Sequence, residues 1–211
     1  MLPESVGVNA SAEGASPPIE DYRNARYRHA IRGLTYESGF VELGTDAQEV
    51  LAEGHRGEDF DALLERGADR LEHNMVIEAL ETYTLAVLVD SAAASAYEGL
   101  GRAFVAKGKT ENAIASFRTA LRLDPSLTEA RYRLGAAYWM QGGFQEAVEM
   151  WREVVDLDSN HVMTHERLAI ALYYLGDYQG SWGHVHAAEA LGHVVPPQFR
   201  PLLETQMPEP R

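Results

Sequence analysis

The 211-residue chain contains no cysteine. This absence excludes disulfide bonds, thiol catalysis and metal sites built from thiolates, although it does not indicate a redox compartment. Lysine is almost absent, since Lys107 and Lys109 are the only two, and the formal net charge is -14 at pH 7. A chain this acidic is repelled by phosphate groups, so we expect no nucleic-acid partner.

Long apolar runs are also missing. No stretch of 18 apolar residues occurs, so we expect no membrane insertion. The first residues, Met1 to Ser5, have neither the basic start nor the apolar stretch of a signal peptide, so a cytoplasmic location is the default expectation. There is no glycine-rich phosphate loop and no arrangement of nucleophile and base. We therefore expect no enzymatic activity, no catalytic residues and no cofactor.

Three stretches of the chain repeat one another at a spacing of 34 residues. The clearest has the pattern Tyr97-x2-Leu100-Gly101-x2-Phe104-x8-Ala113-x3-Phe117-x2-Ala120-x4-Pro125. The first four of these residues share one helix face, and Ala113, Phe117 and Ala120 share a face of a second helix. The small residues Gly101 and Ala113 let the two helices approach closely, and the aromatic side chains fill the space around that contact.

This signature resembles the tetratricopeptide repeat, a helix-turn-helix unit that stacks into a superhelix. The resemblance covers residues 60–195 and implies an all-α fold, a right-handed solenoid of about four repeats. The implied division runs from a flexible N-terminal arm (1–20) and a partly helical N-terminal extension (21–59), through four repeats (60–93, 94–127, 128–161 and 162–195), to a C-terminal cap and tail (196–211).

The first repeat matches less well than the others. Leu64, Gly67, Ala68 and Leu71 fit the first-helix pattern only if one residue is deleted from the turn, so residues 60–93 are interpreted as a slightly shortened unit. Asp59 is expected to cap its first helix.

The C-terminal end needs a cover for its open apolar face. Phe199, Leu202 and Leu203 are expected to supply this cap, followed by a frayed tail from about Glu204.

In this family the first helix of each unit lines the concave groove, which identifies candidate binding residues. The groove positions of the first unit are charged: Glu65, Arg66, Asp69, Glu72 and His73. Those of the later units give the partner-binding set that we expect: Arg102, Tyr132, Arg133, Trp139, Met140, Arg167, Ile170, Tyr173 and Tyr174. Exposed aromatic side chains beside arginines are typical of binding hot spots. Two alternatives remain open: Trp139 and Tyr173 pack between helices, or the protein's own C-terminal tail fills the groove.

The best-known groove chemistry of the family is a clamp of lysine, asparagine and arginine that holds a chaperone's terminal carboxylates. The corresponding helices here carry Arg66, Arg133 and Arg167 but no asparagine at the groove positions. This departure argues against binding of a chaperone tail, whereas an acidic or aromatic peptide remains compatible with the arginines.

The N-terminal extension begins with a basic and aromatic segment, residues 21–36. Its arginines form a candidate second partner-binding arm: Arg23, Arg26, Arg28 and Arg32. Tyr27, Ile31 and Leu34 share one helix face, so the same segment could instead be a short helix docked on the first repeat. Pairing with the acidic stretch between Glu37 and Asp61 is a third interpretation.

Five of the eight histidines lie between His161 and His193. His161 and His165 are four residues apart and could share a helix face, whereas His184 and His186 point to different faces. No glutamate follows His161 in the pattern of the helical zinc proteases. We therefore expect no metal site and interpret these histidines as surface or groove-lining residues.

These features together favour a non-enzymatic protein-interaction module, a scaffold or complex-assembly factor. It would bind a peptide of another protein, of unknown identity, in the concave groove. The alternative is a permanent accessory subunit of a larger enzyme complex, attached through its N-terminal extension. The pattern does not indicate an oligomeric state.

Overall fold

The computed structural model describes residues 59–210, which contain nine helices and no strand. Eight of these helices form four consecutive pairs and a shorter ninth follows: α1 (Phe60–Glu72) and α2 (Val76–Val89), α3 (Ala94–Ala106) and α4 (Thr110–Leu123), α5 (Thr128–Gln141) and α6 (Phe144–Leu157), α7 (Val162–Tyr174) and α8 (Tyr178–Ala190), and α9 (Phe199–Gln206). The prediction of an all-α helical-repeat fold is therefore confirmed. The predicted arm arginines, Arg23, Arg26, Arg28 and Arg32, lie outside the described residues.

Each helix begins 34 residues after its counterpart in the preceding pair. The turn inside each pair places one residue at positive φ, and these residues are also 34 apart: Asn74, Gly108, Gly142 and Gly176. Glycine adopts this left-handed conformation without strain, and asparagine tolerates it better than most residues. The first turn is therefore as long as the second, and the predicted deletion in the first repeat is wrong.

The misalignment of the first repeat has a physical origin in Arg70. This arginine stands where the second repeat has Phe104, so the apolar pattern is interrupted. Its guanidinium donates to the backbone oxygen of Glu78 at 3.0 Å and to the hydroxyl of Thr82. The buried first-helix residues are Leu63 and Gly67, one repeat before Tyr97 and Gly101.

The two helices of a pair approach closely where a glycine meets an aromatic ring. A Cβ on Gly101 would lie 2.6 Å from the ring of Phe117, and one on Gly135 would lie 2.6 Å from that of Trp151. Such distances are far inside van der Waals contact, so these positions admit only glycine without rearrangement. The Trp151 indole also donates to the Tyr132 carbonyl at 3.0 Å, which satisfies its buried N–H.

Two later repeats carry a polar residue where the second has Tyr97. Arg131 donates to the carbonyl of Pro125 at 2.8 Å, and His165 pairs with that of Ser159 at 3.0 Å. These two carbonyls are themselves one repeat apart, in the turns that precede α5 and α7. Both polar side chains are buried, and both bond to the equivalent carbonyl of the turn, although the Nη1 of Arg131 has no hydrogen-bond partner within residues 59–210.

The short helix α9 continues the period and closes the C-terminal end. Phe199 and Leu203 follow His165 and Ala169 by 34 residues, and both are buried against Trp182 and Val185. Leu202 is 49% exposed, so its predicted part in the cap is wrong. The helix therefore has the packing of a truncated fifth first helix.

The chain beyond α9 is held against α8, which corrects the predicted fraying from Glu204. The Trp182 indole donates to the carbonyl of Met207 at 3.0 Å. Glu209 pairs with His186 at 2.9 Å and with Arg200 at 2.8 Å. These contacts also exclude the alternative that the described part of the tail fills the groove.

At the other end, Asp59 accepts from the backbone N–H of Asp61 at 3.1 Å, as expected for a helix cap. In the part of the chain from 59 to 210, no helix is both long enough and apolar enough to cross a membrane.

Candidate functional site

A pocket of about 310 Å³ opens on the face formed by the first helices of three consecutive repeats. Its walls come mainly from α3 and α5, with single contributions from α1 and α4, and the lining residues are Leu71, Arg102, Val105, Ala106, Phe117, Tyr132, Arg133, Ala136, Ala137 and Met140. Four of the nine predicted groove residues therefore lie in one pocket: Arg102, Tyr132, Arg133 and Met140.

The charges around this pocket are balanced. Arg133 donates to Glu129 with its Nη2 at 2.6 Å, and its Nε lies 3.6 Å from an oxygen of Glu98. Burial raises the pKa of Glu98, while Arg102 and Arg133 act in the opposite direction. The two arginines thus face two carboxylates, so the pocket is not a strong anion site.

One donor in the pocket is left without a partner. The Nε atom of Arg133 is buried and makes no hydrogen bond to any part of residues 59–210, since 3.6 Å to Glu98 is too long. A buried donor without an acceptor is destabilising by about 1–3 kcal/mol. A bound molecule that draws this side chain into the pocket and supplies an acceptor would remove that penalty.

Trp139 does not line the pocket but belongs to a neighbouring aromatic patch, formed by Trp139, Phe144 and Tyr174. The ring of Trp139 is half-buried and lies 4.6 Å from Phe144 and 5.9 Å from Tyr174, centroid to centroid. It also lies 6.1 Å from the buried ring of Trp151. Tyr174 is 70% exposed. Trp139 therefore joins the core to an exposed surface, and both interpretations of this residue apply in part.

The predicted groove residues of the fourth repeat are in different surroundings. Ile170 and Tyr173 pack against the cluster that contains α9, with the rings of Tyr173 and Phe199 5.6 Å apart. Arg167 is exposed. For Tyr173 the structure favours packing between helices over free exposure in a groove.

The sequence interpretation missed Leu71 as a groove residue. Without the assumed deletion, Leu71 is equivalent to Val105, Trp139 and Tyr173, so the 34-residue period alone would have identified it. The charged groove predicted for the first repeat is corrected in the same way, because Leu71 extends the apolar wall of the pocket to α1.

The histidines of residues 59–210 do not gather into one site, and their interpretation as surface or groove-lining residues is wrong for His165, which is buried. His165 and His184 lie with their Nδ1 atoms 3.0 Å apart, and burial is the main cause that lowers the pKa of His184 to about 4. His161 stands before α7 and contacts Thr164 and the ring of Tyr132, so it does not share a site with His165. Across residues 59–210, no group of three or more histidine, aspartate or glutamate side chains could hold a metal ion.

The geometry thus defines a stack of helical hairpins with a pocket on its first-helix face. Two family models match the chain, a TPR repeat over residues 101–142 and a tetratricopeptide repeat over residues 132–183. Residues 101–183 of the chain therefore contain tetratricopeptide repeats.

Several solved structures share this fold. MamA is 19% identical, with a TM-score of 0.61 over 70% of this chain and 87% of its own. YrrB, described as a TPR protein with an unusual peptide-binding site, is 23% identical, with a TM-score of 0.58 over 68% of this chain and 73% of its own. The first TPR of Spaghetti (RPAP3), bound to the HSP90 peptide SRMEEVD, is 23% identical, with a TM-score of 0.54 over 55% of this chain and 92% of its own. Among proteins with curated functions, none matches the sequence.

Proposed function

We propose that this protein is a non-enzymatic protein-interaction module, a scaffold or complex-assembly factor, that binds a peptide of another protein in the pocket between α1, α3 and α5. The observation that carries the proposal is the combination of an apolar wall and an unpaired donor. Leu71, Val105 and Met140 offer apolar surface, and the Nε of Arg133 lacks an acceptor. A peptide can supply both an apolar side chain and a carbonyl oxygen.

The chemistry of the pocket favours a largely apolar anchor over an acidic tail. Arg102 and Arg133 share the pocket with Glu98, and Arg133 is also paired with Glu129. An incoming carboxylate would have to compete with carboxylates that are already in place. The acidic peptide bound by the Spaghetti domain is therefore a poor guide to the ligand here, while the peptide site of YrrB supports only the general mode.

The proposal is tested by comparing two methionines. Met140 lines the pocket and is 59% exposed, whereas Met163 is 43% exposed at the start of α7, outside the pocket. Proteins retained by the full chain from a lysate of the source cells are identified, and their binding to the two variants is then measured with purified components. Met140→Glu should weaken binding tenfold or more, because it places a charge in the apolar wall.

Met163→Glu is the matched control and should bind like the wild type. Equal binding by Met140→Glu, with the helical signal of both variants intact, would rule out this pocket as the binding site.

The accessory-subunit alternative depends on the N-terminal extension, residues 21–59, nearly all of which lies outside the described residues. Removal of residues 1–58 distinguishes the two proposals. The groove proposal expects the partner to be retained, and the accessory-subunit proposal expects it to be lost.

A further inference from the structure

The helix α2 differs from α4 and α6 on its outer face, where it is more apolar. At the position where α4 and α6 carry Arg118 and Arg152, it carries Thr84. At the position of Arg122 and Asp156, it carries Leu88. Apolar helix surface of this kind is normally covered by another part of the protein.

These equivalent positions also differ in how far their side chains are buried. Thr84 is completely buried, whereas Arg118 and Arg152 are exposed, although α2 and α4 pack in the same way between first helices. Leu88 is half-buried, and Arg122 and Asp156 are exposed. The outer face of α2 therefore has a cover that the outer faces of α4 and α6 lack.

We propose that this cover is the chain's own segment 21–36, seated on the outer face of α2. Tyr27, Ile31 and Leu34 recur at intervals of four and three residues, so they form one apolar stripe of a helix. Such a stripe supplies apolar side chains for the face on which α2 carries Thr84 and Leu88. The proposal is independent of the pocket, which lies on the first-helix face.

The position of the segment in the chain permits this docking. Residues 37–58 connect it to Asp59, and a linker of that length spans up to roughly 70 Å when extended. This exceeds the length of α1, which is about 20 Å at 1.5 Å per residue. The sequence of α2 contains Glu78 and Glu81 and no basic residue, so arginines that flank the stripe meet no like charge on this helix.

The arginines of the segment provide a direct measurement, because trypsin cleaves after arginine. In the full chain, cleavage after Arg23, Arg26, Arg28 and Arg32 should be slow when the segment is docked. Leu88→Glu places a charge under the docked stripe and should speed this cleavage at least tenfold, as read by mass spectrometry at early times.

Leu157→Glu is the matched control, since Leu157 is a 55% exposed leucine at the end of α6. It should leave the cleavage rates unchanged. Thr84→Arg is the second test variant, because α4 and α6 already carry arginine at that position and fold with it. It should speed cleavage as Leu88→Glu does, even if Leu88→Glu proves to unfold the first repeat.

Three results would overturn the proposal. Thr84→Arg and wild type could be cleaved at the same rate, slow or fast. The control Leu157→Glu could lose protection as fully as Leu88→Glu. Protection in the wild type could also disappear on tenfold dilution, which would assign the cover to a second copy of the chain.

Discussion

The third and fourth repeats have the same helices at the same spacing, yet their first-helix faces differ. In the third repeat, Trp139 lies beside an open pocket and contacts exposed rings. In the fourth, the equivalent Tyr173 is in contact with Phe199 of α9. The cores differ too, since the pair Gly135 and Trp151 is replaced by Ala169 and Val185. Equivalent positions in a repeat array therefore take their roles from the neighbouring unit, as well as from their place in the period.

The largest effect should come from the core of the third repeat. Trp151→Ala removes a buried indole and its hydrogen bond to Tyr132, so the free energy of unfolding should fall by roughly 3–5 kcal/mol. Val185→Ala, one repeat later, removes only two methyl groups and should lower it by about 2 kcal/mol. Urea unfolding monitored by circular dichroism measures both. Equal losses would mean that the two cores contribute alike, contrary to this comparison.

Two adjacent leucines of the capping helix α9 differ in burial. Leu203 is fully buried, so Leu203→Ala should lower the free energy of unfolding by roughly 2–4 kcal/mol. Leu202→Ala should change it by less than about 0.5 kcal/mol, because that side chain is half in water. The same urea titration tests the pair. A similar loss for both leucines would mean that Leu202, like Leu203, is buried in the folded protein.

The histidine pair makes the fourth repeat sensitive to acid in a way that the third is not. His165 donates from Nε2 to the Ser159 carbonyl, so its Nδ1 accepts from the Nδ1–H of His184. Burial, then His165 and Arg152, lower the pKa of His184 to about 4, while Asp177 acts in the opposite direction.

The sign of the pH dependence follows from that pKa. Between about pH 6.5 and 4 the unfolded chain binds a proton at His184 that the folded chain excludes, so stability falls as the pH is lowered through this window. Allowing for partial solvent exposure, the loss is about 2 kcal/mol. In His184→Met, which carries the residue of the third repeat (Met150), this part of the pH dependence should be absent. Melting temperatures at pH 7 and pH 4.5 test it; an unchanged pH dependence would contradict the assignment.

The smallest effect concerns two arginines one repeat apart. If the proposed pocket binds the partner, Arg133→Ala should weaken that binding about threefold to tenfold, because Arg133 supplies the unpaired donor. Arg167→Ala should have no effect, since that side chain is exposed outside the pocket. Calorimetry with the identified partner peptide measures both, and stability should change by less than about 1 kcal/mol in either variant. An equal effect from Arg167 would extend the site into the fourth repeat.

The repeat period predicted most of the fold, because the positions that touch within a hairpin recur at fixed intervals. The pairing of Gly101 with Phe117 and the capping by Asp59 both follow from local patterns. The first repeat departs from the pattern because Arg66 and Arg70 replace apolar residues. The hydrogen bonds of Arg70 to Glu78 and Thr82 explain why an arginine is tolerated at that position. Asn74 in the place of a glycine obscured the turn as well.

The candidate site was less predictable than the fold. Position in the period identified Arg102, Tyr132, Arg133 and Met140, but it could not distinguish a pocket from a surface covered by α9. That distinction depends on contacts between residues distant in the chain, such as Tyr173 with Phe199. The balance of charge around Arg133 likewise depends on Glu98 and Glu129, which lie on two different helices.

The register of α9 sets a limit on how copies of this chain can assemble. A stack of hairpins can in principle lengthen into a filament if the last unit of one molecule receives the first unit of the next. Here the surface that would receive it is occupied by Phe199 and Leu203, and Trp182 and Glu209 hold the chain that follows. Growth from the C-terminal end would require α9 to be displaced, so any assembly that preserves this helix must use another surface of the molecule.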